Sequence, residues 1–223
     1  MKKHPNYIPA FHFHWLTRWY DPMLRHLFPE GALKIAMIAQ AHIQPGQDLL
    51  DVGCGTGTLT LLIKQTQPNA RVYGIDVDPQ VLDIARRKAE QARETIVLQR
   101  GTATCLPYPD ESFDRVFTSL MLHHLTRQDK QRALAEAFRV LKPDGELHVV
   151  DFCKPHDSVM WLISLVVRWF EEVHDNILGF LPLYIADAGF HPVEETISYR
   201  TIFGPVALYR ACKPMKNDHE AIV

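Results

Sequence analysis

Three glycines at alternate positions, Gly53, Gly55 and Gly57, separate the apolar run Leu49-Leu50-Asp51-Val52 from a segment of helical period that begins at Thr58. Glycine tolerates positive φ and leaves the main chain bare, and the first turn of a helix presents N–H groups without intrahelical acceptors. A loop of this kind, with Cys54 inside it, grips a nucleotide-sized ligand through its backbone. The partner acid is Asp76, which ends Arg71-Val72-Tyr73-Gly74-Ile75 about 20 residues further on, where a carboxylate can accept two hydrogen bonds from a ribose diol. Asp78, directly before Pro79, suits the N-cap of the next helix better and leaves Asp76 for the ligand. Asp51 can offset a ligand cation or order the loop's own amides. A dinucleotide site needs its third glycine where this chain has Thr58.

Imidazoles supply the candidate bases: His123 and His124, just past Ser119-Leu120-Met121-Leu122, and His12 and His14 near the N-terminus. Histidine titrates where general bases work. A metal centre would require all four to converge tetrahedrally, and none is expected.

The elements that must hold these groups follow from hydrophobic period. Short β-branched runs at 48–52, 71–75, 95–99, 114–119 and 146–152 alternate with helical segments, the pattern of a parallel sheet covered by helices. Leu82, Ala85 and Ala89 mark one buried helix face, with Arg86, Arg87, Lys88 and Glu90 on its solvated side. Leu134, Ala137, Phe138 and Leu141 mark another, in a helix expected to stop at Pro143 and Gly145. Residues 192–212 read as two strands around Gly204-Pro205. Residues 1–45, aromatic at Phe11, Phe13, Trp15, Trp19 and Tyr20, read as two helices serving as a pocket lid ahead of a domain over 46–212. An apolar insertion helix is expected over 157–176 and a flexible tail from Lys213.

Composition narrows the classes. The chain has 223 residues, 47% of them hydrophobic, and a formal charge of −2, enough to fill one sizeable core without a field for phosphate backbones. Nucleic acid is not an expected partner. Cys54, Cys105, Cys153 and Cys212 lack the density of a disulfide scaffold and fit a cytoplasmic protein. The N-terminal stretch is broken by prolines and histidines where a secretory signal needs an apolar core. The apolar run from Val159 to Val167 falls short of the about 17–25 residues that span a bilayer, so stable membrane insertion is not expected.

The glycine loop, the stretches GIDVDPQVLDIARRKA and GTATCLPYPDESFDRVFTSLMLHHL, and RVLKPDG follow one another as in the class I S-adenosylmethionine-dependent methyltransferases, which residues 47–152 resemble. RVLKPDGELHVVDF and Tyr20-Asp21-Pro22-Met23 are similar to signatures of the ubiquinone/menaquinone C-methyltransferases. Where those enzymes carry Glu and, two residues on, Ser, this chain has Asp151 and Cys153. The resemblance implies a Rossmann-like α/β fold with a seven-stranded, mostly parallel sheet and helices on both faces. It also implies S-adenosyl-L-methionine as cofactor, its methionine part over Gly53, Gly55 and Gly57 beside Asp51 and Cys54, its ribose at Asp76, and its adenine between Val77, Thr102, Ala103 and Leu106. The methyl group then points to Ser119 at the end of the fourth strand. Thr102 stands where the broad family commonly has Asp; exchanging a charged acceptor for a neutral one costs about 1 kcal/mol, roughly fivefold in affinity.

The expected activity is in-line methyl transfer to a small apolar or aromatic acceptor, enclosed by Met160, Trp161, Leu165 and Trp169 with the N-terminal aromatics. Positioning contributes about 7–11 kcal/mol to such a reaction, a base at His123 or His124 less. Two alternatives stand beside it: a protein of the same fold that binds cofactor without turnover, and a nicotinamide-dependent oxidoreductase. A homodimer is compatible with each.

Overall fold

The structure, a computed structural model, describes residues 30–167 and 173–215, without the side chains of 163–167. Seven strands form one sheet: β1 (Asp48–Val52), β2 (Arg71–Asp76), β3 (Val97–Arg100), β4 (Phe113–Ser119), β5 (Leu141–Phe152), β6 (Val193–Thr201) and β7 (Gly204–Cys212), in the order β3-β2-β1-β4-β5-β7-β6. The first five are parallel, and β7 runs antiparallel between β5 and β6. The expected α/β architecture is what the chain adopts. Strand order reverses between β1 and β4, and ligands of open α/β sheets bind at the carboxyl ends of the strands at such a point.

Neighbouring residues on a strand point to opposite faces, and here both faces are buried. Leu50, Val116, Val149 and Ala207 belong to one core cluster, whereas Leu49, Phe117, Val150 and Leu208 belong to the other. That is why the central strands read as continuous apolar runs. On one face lie α1 (Glu30–Gln40) and α2 (Thr58–Thr66), through Leu33, Met37, Leu59 and Ile63. On the other lie α4 (Arg127–Val140) and α7 (Leu181–Asp187), through Ala133, Leu134, Leu181 and Ile185. Helix α3 (Pro79–Ala92) buries Leu82, Ala85 and Ala89 as its period requires. Two further helical segments, α5 (Ser158–Val167) and α6 (His174–Ile177), follow β5.

Four readings need correction. The segment 30–41, placed within a lid, is core: Leu33, Met37, Ile38 and Ala41 make an apolar face against the sheet. Helix α4 ends at Val140 and β5 starts at once, with Leu141 opposite Phe113, so Pro143 and Gly145 lie in the strand. Lys213 does not begin a free tail: its Nζ donates to the carbonyls of Phe138 and Leu141 at 2.9 and 2.7 Å, closing the open end of α4. The start of the insertion helix is less buried than its composition suggests, since Val159, Trp161 and Leu162 are exposed and Met160 is buried. Residues 1–29, 168–172 and 216–223, with Phe11, Phe13, Trp15, Trp19, His12, His14, Trp169 and the rest of the expected tail, lie outside the described residues, as does the side chain of Leu165. Among the described residues, no helix is long and apolar enough to cross a membrane.

Candidate active site at the carboxyl ends of the strands

Gly53, Gly55 and Gly57 all have positive φ, at 72°, 53° and 71°, a region that costs an L-residue about 1–2 kcal/mol. Their surroundings differ. A Cβ on Gly53 would run into the side chain of Met121, and one on Gly57 would lie 2.8 Å from the Ala85 Cβ. Above Gly55 there is open space. Gly53 and Gly57 therefore serve packing, and Gly55 is the position where another molecule can lie on the backbone. The loop is held to β2 by hydrogen bonds from the Gly53 and Cys54 amides to the Ile75 carbonyl, at 2.9 and 3.0 Å. Gly57 caps α2 without a side-chain acceptor, so the helix's first N–H groups are left for solvent or a ligand.

Asp76 joins this loop to the next. One carboxylate oxygen accepts from the Gly55 N–H at 2.9 Å and the other from the Asp78 N–H at 2.9 Å. Each oxygen has a second lone pair. Asp78 caps α3 through the Gln80 N–H, in agreement with the sequence reading. Asp51 is buried and accepts from the Thr60 hydroxyl at 2.6 Å. Burial raises its pKa to about 6, against the lowering effects of Thr60 and Lys34. Burial also pushes the Cys54 thiol up, with Asp51 and Asp76 adding to the effect, so this cysteine is no nucleophile. Lys88, read as plain surface, reaches back to the loop: its Nζ donates to the hydroxyls of Thr56 and Thr58 at 2.8 and 3.1 Å.

The expected adenine residues follow β2 and β3. Val77 is 40% exposed, an apolar side chain in water. Thr102 is exposed and shares a 3.0 Å hydrogen bond with Thr104; Ala103 is half-buried against the core, and Leu106 is buried. Ser119 ends β4, and Leu120 after it has φ 54°. A positive φ in leucine is an outlier of the kind that clusters at functional sites. Next in the chain comes Met121, the residue packed over Gly53.

Directly after Met121, a 3₁₀ turn at Leu122–His124 carries the two histidines. The His123 Nδ1 lies 2.9 Å from an Asp151 carboxylate oxygen, and its own N–H donates to the other at 3.2 Å. Asp151, wholly buried at the end of β5, also accepts from the Phe152 N–H at 2.8 Å and the Asn176 amide at 3.1 Å. Burial opposes its ionisation, but His123, the Phe152 N–H and Lys130 outweigh burial and hold the carboxyl below the usual range. An ionised acceptor at Nδ1 fixes the proton there and puts the basic lone pair on Nε2. His124 lies beside it, ring centroids 4.0 Å apart. An open depression of about 340 Å³, lined by Pro155, His156, Asp157, Ser158 and Trp161, adjoins the β5 end.

The structure thus gathers the glycine loop, Asp51, Asp76 and the residues after β3 and β4 at one edge, with His123 after β4 held against Asp151 at the end of β5. Sequence reasoning missed Met121, Asp151 and Asn176. Asp151 differs from the residue usual in the resembling enzymes, which was the one available signal.

A model of the methyltransferase domain matches residues 49–145. The demethylmenaquinone methyltransferase of Symbiobacterium thermophilum is 40% identical over 60% of this chain and 57% of its own length. The ubiquinone/menaquinone biosynthesis C-methyltransferase of Bordetella avium is 35% identical over 83% of this chain and 75% of its own. The crystal structure of the YcgJ protein from Bacillus subtilis superposes with a TM-score of 0.68 at 19% identity, covering 82% of this chain and 99% of that one, which bears on the fold. The chain spans less than two thirds of the length of the first curated relatives it matches, 57% and 59%.

Proposed function

Because the chain belongs to the class I S-adenosylmethionine-dependent methyltransferases, in the ubiquinone/menaquinone C-methyltransferase group, we propose that it methylates a small apolar or aromatic acceptor of the quinol type. The observation that carries the reading is Gly55, open above its backbone while its N–H is tied to Asp76. A bare peptide beside an anchored carboxylate fits an adenosyl ligand: the main chain lies along the methionine part, and the free lone pairs of Asp76 receive the ribose hydroxyls. Asp51 balances the ligand's positive charge from beneath the loop. Val77 and Ala103 offer apolar surface to the adenine, with Thr102 as a neutral acceptor; Leu106, expected beside them, is buried in the core instead.

Bound S-adenosylmethionine supplies a methyl group already activated on a sulfonium, so the protein's work is alignment and exclusion of water. His123 is the base of this proposal, its Nε2 taking the proton that the acceptor loses as the methyl–acceptor bond forms. Asp151 and Asn176 act through it as positioning residues. Residues 1–29, rich in aromatic side chains, are proposed to close over the acceptor, and the protein is proposed to work in the cytoplasm.

S-adenosylhomocysteine at about 100 times its dissociation constant stabilises by about 2.7 kcal/mol, a rise of roughly 5–10 °C in Tm for a chain of this size. NAD leaves the Tm unchanged. Labelled cofactor then transfers its methyl group to at least one member of a panel of quinols, phenols, amines and thiols. A shift with NAD alone overturns the family's cofactor for this chain. Thr102, a neutral group where the family commonly has Asp, favours a second reading, binding without turnover, and binding with no label transfer across the panel selects it.

A further inference from the structure

Cys153, His156 and Glu195 come from three places in the chain, the end of β5, the loop after it and the edge strand β6. Their sulfur, imidazole nitrogen and carboxylate oxygen nevertheless lie within 4.8 Å of one another. The imidazole Nε2 and a Glu195 oxygen are 3.2 Å apart. Cys153 is 1% exposed and its backbone is pinned by a 3.0 Å hydrogen bond to the Pro205 carbonyl. Glu195 sits where β6 slips register against β7, and such bulges re-aim a side chain. The bland account is a surface His–Glu hydrogen bond beside a buried thiol that packs as a small apolar group. Glu195 is held at this spot from two sides, by His156 and by the buried Tyr209 hydroxyl, which donates to it, so its carboxylate is fixed beside the sulfur.

We propose that Cys153, His156 and Glu195 bind a divalent transition-metal ion of the zinc class. Zinc takes sulfur at about 2.3 Å and nitrogen or oxygen at about 2.0–2.2 Å, which sets tetrahedral donor separations of roughly 3.3–3.7 Å. The His–Glu pair, at 3.2 Å, is just short of that range, and the sulfur, within 4.8 Å, closes by about 1.5 Å at most. Mixed thiolate, imidazole and carboxylate donors select zinc over magnesium or calcium. On binding, the Cys153 S–H bond breaks, its proton leaves to solvent and a metal–sulfur bond forms with no change of oxidation state. Three protein ligands leave a fourth position for water or an exchangeable oxygen. His156 also lines the 340 Å³ depression at the β5 end. The ion ties the loop after β5 to the edge strand, and the inference holds whether or not the protein methylates anything.

The test uses tag-free, full-length protein freed of metal and titrated with Zn²⁺ by calorimetry and with Co²⁺ by absorption. The expected result is one equivalent bound, a sulfur-to-cobalt charge-transfer band, and d–d intensity typical of four-coordinate cobalt. Cys153→Ser removes the band, and Glu195→Gln weakens binding at least tenfold. S-adenosylhomocysteine affinity stays within about threefold in both, which separates this site from the glycine loop. Failure to bind Co²⁺, or a band that persists in Cys153→Ser and so belongs to another thiol, overturns the proposal. Thermal melts of the metal-free variants confirm that each is folded before titration.

Discussion

Replacing Asp151 with Asn keeps its shape and removes its charge, and the structure sets the size of the effect. Asp151 accepts four hydrogen bonds in a wholly buried position, from the Phe152 N–H, the His123 ring, the Asn176 amide and the His123 N–H. An amide has one carbonyl oxygen with two lone pairs, and its NH₂ would face donors. Two donors are left unsatisfied, at about 1–3 kcal/mol each, so a loss near 3 kcal/mol is expected. For a chain of this length that lowers Tm by roughly 6–12 °C, within the stability of an ordinary domain. The His123 ring loses the acceptor that fixes its tautomer, and transfer slows by about 10²–10⁴-fold. The assays are a thermal melt, single-turnover transfer as a function of pH, and long-range proton–nitrogen spectra that report which ring nitrogen carries the proton. S-adenosylhomocysteine affinity stays within about threefold, because Asp151 has no contact with the glycine loop. If the variant keeps the wild-type pH–rate profile and the wild-type tautomer, the positioning role is refuted even when Tm falls.

Gly55→Ala and Gly57→Ala separate ligand space from packing. Both meet the strain of positive φ, about 1–2 kcal/mol, but only alanine at 57 also meets Ala85 and adds about 1–3 kcal/mol of overpacking; calorimetry should find the greater affinity loss, and melting the smaller stability loss, at 55. Asp76→Ala weakens S-adenosylhomocysteine binding at least tenfold, and an unchanged dissociation constant removes its ribose role. The Asp51 carboxyl stays protonated to about pH 6 in the folded protein but only to about pH 4 unfolded, so stability declines as pH rises from about 4 to 6 and is level above. Asp51→Asn removes that decline and stabilises the ligand-free protein by up to about 3 kcal/mol at pH 7 while weakening cofactor binding; denaturant melts across pH 4–8 read the slope.

Much of this molecule is written locally. The seven strands, the cap at Asp78, the buried face of α3 and the glycine loop follow from periods of two and 3.6 residues and from backbone freedom, properties that a short window of chain carries by itself. Asp76 at the end of β2 belongs with them, because a parallel strand delivers its last residue to the same edge as its neighbours. Other features depend on which distant side chain arrives. Met121 fills the space beside Gly53 because Leu120 turns the chain at the end of β4. Asp151 meets His123 because β4 and β5 are adjacent in register, and Lys213 closes α4 because β7 runs antiparallel beside β5. The convergence of Cys153, His156 and Glu195 needs the bulge on β6. Sequence settles where strands end and which residues stand there; only the packed sheet decides which of those residues touch, since contact across strands is set by register and not by distance along the chain.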